Sequence, residues 1–136
     1  IVEGQFRSRN TVGDTHRKLL LYVFVNNICV VEADIPHTNV IEIEGYICKT
    51  PIIRQTPSVK TVADLIIACN VNDKRPYYIP AIFWGSVDKK VTTMPIGCKI
   101  SCIGRFHSRV YSKVIGDKVR NGMAYELSVD KLEQLT

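Results

Sequence analysis

The stretch Gly104-Arg105-Phe106-His107-Ser108-Arg109 decides the fold, because a version of it occurs twice in the chain. The earlier copy is Gly4-Gln5-Phe6-Arg7-Ser8-Arg9, at an offset of 104 − 4 = 100 residues. A turn signal follows each copy, Val12-Gly13-Asp14 in the first and Ile115-Gly116-Asp117 in the second, and another apolar stretch follows each turn. An offset of this size is a domain length. We therefore expect one complete domain, preceded by the last part of a similar one.

Apolar and polar residues alternate with a period of two along most of the chain, which predicts strands rather than helices. The pattern predicts five strands, at residues 40–53, 62–69, 77–84, 98–111 and 123–132. We expect a short helix at 86–93, between strands three and four, and a basic hairpin loop at 112–121. Five strongly coiled strands tend to close into a barrel, because closure removes unpaired edges.

The predicted fold class is therefore all-β, a five-stranded OB-fold barrel with one short helix. The complete barrel would span residues 40–136, and residues 35–39 would be a linker. Residues 1–34 would be the C-terminal β-hairpin of a truncated OB-like domain, with further sequence upstream.

Composition excludes several classes of protein. The 136 residues carry a net charge of +5, which permits a polyanionic partner without requiring one. No apolar run approaches the roughly 20 residues of a membrane span, and residue 1 onward does not show the charged and then apolar pattern of a signal peptide, so we expect a cytoplasmic protein without membrane contact. The five cysteines form no C-x-x-C pair and the three histidines are scattered. We expect buried reduced thiols, no metal and no other cofactor.

The alternation places two sets of side chains on strand faces that suit a ligand better than a core. On strand three they are Tyr78, Pro80, Ile82 and Trp84. On strand four they are Arg105, His107, Arg109 and Tyr111. Single-stranded nucleic acids are bound by aromatic stacking on bases and by cations along the backbone, so these faces indicate such a groove. The other face of strand four holds Ile100, Cys102 and Phe106, and we expect it in the core if the bend at Gly104 preserves the alternation.

Three segments together resemble the bacterial single-stranded DNA-binding protein family. They are residues 50–70, which include Thr50-Pro51-Ile52-Ile53-Arg54, residues 78–86, which include Phe83-Trp84-Gly85, and residues 96–111, which contain the repeated block. The resemblance covers about residues 40–135, and a two-domain clostridial-type member would account for residues 1–32. It implies an OB fold and non-catalytic, largely sequence-independent binding of single-stranded DNA in replication, recombination or repair. It also implies a homo-oligomer, a dimer or tetramer. The acidic tail typical of the family is not seen after residue 132.

The resemblance assigns roles to ten residues. Stacking on bases is expected of Tyr78, Trp84 and Tyr111. Contacts to phosphates are expected of Arg105, His107 and Arg109. The hairpin loops are expected to clamp the DNA strand with the cations Lys60, Lys74, Arg75 and Lys113.

Other interpretations stay open. Trp84 and Tyr78 also suit a core or a protein interface, and the arginines and lysines also suit a solvated surface. The chain is alternatively an oligomerisation or protein-docking OB module with Val23-Phe24-Val25 in its interface, or an RNA-binding OB module. No nucleophile–base pair, P-loop or paired-carboxylate motif indicates an enzyme or a small-molecule substrate. No aromatic follows the first hexapeptide, so we expect residues 100–111 to bind DNA and residues 1–9 to serve structure or assembly.

Overall fold

The computed structural model describes residues 1–12, 17–32, 34–70, 75–87 and 89–135. Its elements in chain order are β1 (Val2–Val12), β2 (Arg17–Ile28), β3 (Ile41–Ile47), β4 (Ile52–Gln55), β5 (Thr61–Cys69), β6 (Tyr77–Phe83), α1 (Lys89–Thr92), β7 (Lys99–Ile115) and β8 (Lys118–Gln134). In this described part of the chain no helix is long and apolar enough to cross a membrane.

Five strands close into a barrel, which confirms the predicted all-β class. β3 pairs with β7, β7 with β8, β6 with β5, and β5 again with β3, all antiparallel. The ring is completed by a parallel pairing of β6 with β8. The short strand β4 pairs with the outer part of β5.

The prediction of one continuous first strand at 40–53 is wrong, since β3 ends at Ile47 and β4 begins at Ile52. Both segments pair with β5, β3 near Ala68 and β4 near Asp64. The break contains Pro51, which is buried and has no N–H to donate to a sheet.

The core lies inside the barrel and is made of alternate residues from each strand. Its fully buried side chains include Ile47, Ile67, Ile79, Ile100 and Leu127. Ile100 and Cys102 are at most 1% exposed and Phe106 packs against the core, so the predicted core face of strand four is confirmed. The one-turn helix α1 follows β6, and Val91 is buried with Met94 in the same cluster.

A β-bulge at Gly104 leaves the alternation of β7 intact. Cys102 lies opposite Leu132 and Gly104 lies opposite Val129, so the extra residue of the bulge is on β8. A Cβ atom at Gly104 would lie 2.0 Å from the carbonyl oxygen of Ser128. Only glycine therefore fits where the two backbones cross.

The segment predicted as a basic loop at 112–121 is mostly strand instead. β7 continues to Ile115 and β8 begins at Lys118, with Ser112 opposite Asn121. The β-branched pair Val114 and Val119 favours this extension, and Gly116 at φ +63 makes the tight turn. We call residues 108–125 the arm, because its central residues are exposed on both faces.

The N-terminal hairpin of β1 and β2 repeats the start of the β7–β8 hairpin. Its register shifts between Glu3 and Gly4, as that of β7 shifts between Ile103 and Gly104. A Cβ atom at Gly4 would lie 2.1 Å from the carbonyl oxygen of Phe24, nearly the geometry at Gly104. The duplication seen in the sequence is thus also a structural one.

The hairpin packs against the barrel through equivalent residues of the two copies. The rings of Phe6 and Phe106 meet edge to face, with centroids 5.1 Å apart. Leu21 of β2 is 9% exposed and belongs to the core cluster. In the segment that joins hairpin and barrel, Asn39 exchanges two hydrogen bonds with the backbone of Phe106, at 2.9 and 3.0 Å.

Candidate nucleic-acid interface

Strand register brings the two predicted faces together on one surface. Arg105 lies opposite Ser128, Ser128 lies opposite Ile82, and Ile82 lies opposite Asp64. Because cross-strand partners point to the same side of a sheet, β6 and β7 share a surface although β8 separates them. We call this surface, formed by the outward residues of β4 to β8, the outer face.

Three aromatic residues on or beside the outer face are partly exposed. The exposed fractions are 45% for Tyr78, 39% for Trp84 and 42% for Tyr111. None lies in the core of this chain. A ring that is half packed and half accessible is suited to stack on a base.

Tyr111 is held flat against its neighbouring strand. It lies opposite Gly122, where an added Cβ atom would come within 2.6 Å of the tyrosine Cζ and Oη atoms. The absence of a side chain at Gly122 therefore lets the ring lie over the backbone of β8. The ring is thus in contact with β8 while the side chain is still 42% exposed.

Three arginines of the outer face, Arg54, Arg105 and Arg109, have carboxylate partners that sequence reasoning missed. The Nε–oxygen distances are 2.6 Å for Arg54 and Asp64, 3.0 Å for Arg109 and Glu126, and 4.0 Å for Arg105 and Asp130. The hydrogen bond to Asp64 raises the pKa of Arg54. These cations are thus partly compensated before any polyanion approaches.

Alternation along β5 and β8 would have placed these carboxylates on the outward side, since their neighbours Ala63, Leu65 and Leu127 are buried. The pairing partner of each arginine could not be read in the same way, because it depends on register between strands that are distant in sequence.

The remaining predicted cations differ in where the structure places them. His107 is exposed on β7, Lys60 is exposed where the β4–β5 turn ends, and Arg75 is exposed just before β6. Lys74 lies outside the described residues. Lys113 is exposed on a strand of the arm, opposite Arg120, and not in a loop as predicted.

The arm has one basic and one apolar face. Outward cations missed by sequence reasoning, Lys118 and Arg120, lie on the same side as Lys113 and continue the outer face. The opposite side exposes Val110, Val114, Val119, Met123 and Tyr125. The basic side extends the candidate interface beyond the barrel.

In the N-terminal hairpin, arginines pack on aromatic rings. The guanidinium of Arg7 lies 4.0 Å from the ring centroid of Phe24 and 5.5 Å from that of Tyr77. That of Arg9 lies 5.9 Å from the ring of Tyr22. These cation–π contacts hold the hairpin surface together and tie β1 to the start of β6.

The cysteines show no arrangement for catalysis or metal binding. Burial raises the pKa of Cys69 to about 11 and that of Cys102 to about 12, so both stay protonated and poorly nucleophilic. Cys29 is exposed and Cys48 is half-buried, so the expectation that all five are buried is wrong. Within the described ranges no three His, Cys, Asp or Glu side chains converge as a metal site.

Comparison with solved structures identifies the fold. The wild-type single-stranded DNA binding protein from Thermus aquaticus matches with a TM-score of 0.77 at 21% identity, over 99% of this chain and 58% of that chain. A deletion mutant of the same protein matches with a TM-score of 0.78 at 20% identity, over 99% of this chain and 59% of that chain. No protein-family model and no curated protein sequence matches this chain. The chain therefore has the OB fold of a bacterial single-stranded DNA-binding protein and spans under two thirds of that protein's length.

Proposed function

We propose that this chain binds single-stranded DNA without catalysis and largely without regard to sequence, in replication, recombination or repair. The observation that carries the proposal is the outer face, where the partly exposed rings of Tyr78 and Tyr111 lie on the same surface as Arg105 and Arg109, with Trp84 at its edge. The fold match to a protein whose name states single-stranded DNA binding supports it.

The aromatic residues would supply stacking energy. Each base stacked on an aromatic side chain contributes about 1–3 kcal/mol, and every base has a ring face to offer. Tyr111 is best prepared for this role, because its contact with Gly122 already fixes the ring. Binding of this kind is tolerant of sequence.

The cations would track the phosphates. Lys113, Lys118 and Arg120 form a row on the arm, and Lys60 and Arg75 are exposed next to β5 and β6. Contact with phosphates releases counterions, so affinity should fall steeply with salt. His107 is exposed between Arg105 and Arg109 and would contact the same DNA strand.

A fluorescence titration tests the proposal. Trp84 is the only tryptophan, so its emission reports on the outer face. Oligo-dT should quench it, and the apparent Kd should rise strongly between 50 and 200 mM salt. An unquenched signal, or an affinity independent of salt, would refute the proposal. RNA and DNA oligomers of the same sequence, compared at one salt concentration, separate a DNA-binding from an RNA-binding module.

We also propose that the chain acts as a homo-oligomer, a dimer or tetramer. The apolar side of the arm supports this, with Val110 70% and Val114 71% exposed. The β2 stretch Val23-Phe24-Val25 is also exposed, at 40%, 49% and 46%. Clustered exposed apolar side chains typically mark an interface. A light-scattering mass of a single chain would contradict it, whereas a stable oligomer without oligonucleotide binding would favour the protein-docking module instead.

A further inference from the structure

Glu126 is the most buried of the three carboxylates that pair with arginines of the outer face. Its side chain is 7% exposed, while that of its partner Arg109 is 43% exposed. It lies on β8 opposite His107, in the middle of the outer face. A carboxylate at this point opposes the binding of phosphate.

Glu126 is paired with Arg109, and its charge also acts on a second arginine. Arg109 donates a hydrogen bond from Nε to Oε1 of Glu126 at 3.0 Å. The charge of Glu126 also adds to the larger effect of Asp64 in raising the pKa of Arg54. Arg54 with Asp64, and Arg109 with Glu126, are thus two ion pairs on the outer face.

Comparison of the two repeats shows that the hairpin does not require this acid. Val25 and Val129 occupy the same place at the two bulges, an offset of 129 − 25 = 104 residues. The same offset places Tyr22 where Glu126 lies, since 126 − 104 = 22. Arg9 packs on the ring of Tyr22, at 5.9 Å, where Arg109 pairs with a carboxylate. An arginine is therefore held at this position either by a neutral ring or by an acid.

The two solutions differ in what they leave for a polyanion. An arginine over an aromatic ring keeps its full charge available to a phosphate. When an arginine is paired with a desolvated carboxylate, the phosphate must share the guanidinium with that carboxylate. The phosphate also meets repulsion from the carboxylate, which is weakly screened because it is buried.

We propose that Glu126 is a positioning residue that holds Arg109 against the outer face and competes with phosphate for it, thereby lowering affinity for single-stranded DNA. This inference rests on the proposed function. It implies that the barrel surface contributes mainly stacking, and that the salt-sensitive part of binding lies in cations without such a partner.

The test compares Glu126→Gln with Glu42→Gln by oligo-dT titration over a range of salt. Glutamine keeps an oxygen for Arg109 but removes the charge. We expect a salt slope steeper by about 0.7, the value for one more neutralised phosphate on a single strand. If the variant and the wild type bind equally at 1 M salt, a slope steeper by about 0.7 makes the variant bind about fivefold more tightly at 0.1 M salt. Glu42 is exposed on β3, and its substitution should leave slope and affinity near those of the wild type.

Equal or weaker binding by a folded Glu126→Gln variant would overturn the inference, while oligo-dT binding by the wild type would leave the proposed function standing. If Glu126→Gln does not fold, the double variant Arg109→Gln/Glu126→Gln removes both charges together. It should bind more tightly than Arg109→Gln alone, because in the single variant the acid stands uncompensated. A double variant as weak as Arg109→Gln would likewise refute the competition. A wild type that does not bind oligo-dT would refute the proposed function and this inference with it.

Discussion

Replacing Gly104 by alanine is expected to destabilise the barrel strongly. The added Cβ atom would lie 2.0 Å from the carbonyl oxygen and 2.8 Å from the carbonyl carbon of Ser128. Both are backbone atoms at the crossing of β7 and β8, so no side-chain rotation relieves the clash. The two strands must separate at the bulge, next to the buried Val129.

The loss of stability can be estimated from the fact that backbone atoms have to move. Overpacking of a well-packed core costs about 1–3 kcal/mol, and a backbone obstacle places this case at the upper end, near 3 kcal/mol. For a chain of this size, each kcal/mol lowers the Tm by about 4 °C. We therefore expect a loss of about 12 °C.

Thermal and urea unfolding measure this effect, with Gly116→Ala as the matched control. At Gly116 nothing lies within 4 Å of the added atom, and only the φ of +63 opposes a side chain. That strain costs about 1–2 kcal/mol. A Gly104→Ala variant as stable as the wild type, or no less stable than Gly116→Ala, would refute the close approach of β7 and β8.

Three further outcomes are expected. Tyr111→Ala should weaken oligo-dT binding by about 1–3 kcal/mol, whereas Tyr125→Ala, on the apolar side of the arm, should not; equal losses would contradict the assignment of faces. Lys113→Gln should make the salt slope of binding shallower by about 0.7, and an unchanged slope would remove the arm from the phosphate path. At pH 8, a thiol reagent should modify the exposed Cys29 well before Cys102, which is buried and whose pKa is raised to about 12. Mass spectrometry of the labelled chain measures both rates, and similar rates would contradict a closed barrel.

Local patterns were enough to predict most of the barrel. Alternation depends only on the residues of one strand, so the core face with Ile100 and Cys102 and the outward face with Arg105 could be assigned without any partner strand. Each copy of the repeated hexapeptide begins at a glycine, and the structure has a β-bulge at both, whereas the sequence indicated only a bend at Gly104.

Boundaries were less predictable where neighbouring strands compete with local signals. Polar and charged residues at 112–121 suggested a loop, but cross-strand pairing of Val114 with Val119 extends both strands to a two-residue turn. Apolar residues before and after Pro51 made β3 and β4 look like one continuous strand. The two strands are separate, and the break between them contains Pro51, which has no N–H to donate.

By itself the sequence determined the strand character of the chain, its duplicated hairpin, and which side chains of each strand face outward. Only the tertiary structure decided which of those side chains meet. The pairing of Arg109 with Glu126, and of Arg54 with Asp64, requires a register between strands that are brought together by closure of the barrel. The physical reason is that alternation is a property of one strand, whereas the charge of a surface depends on neighbours far away in the chain.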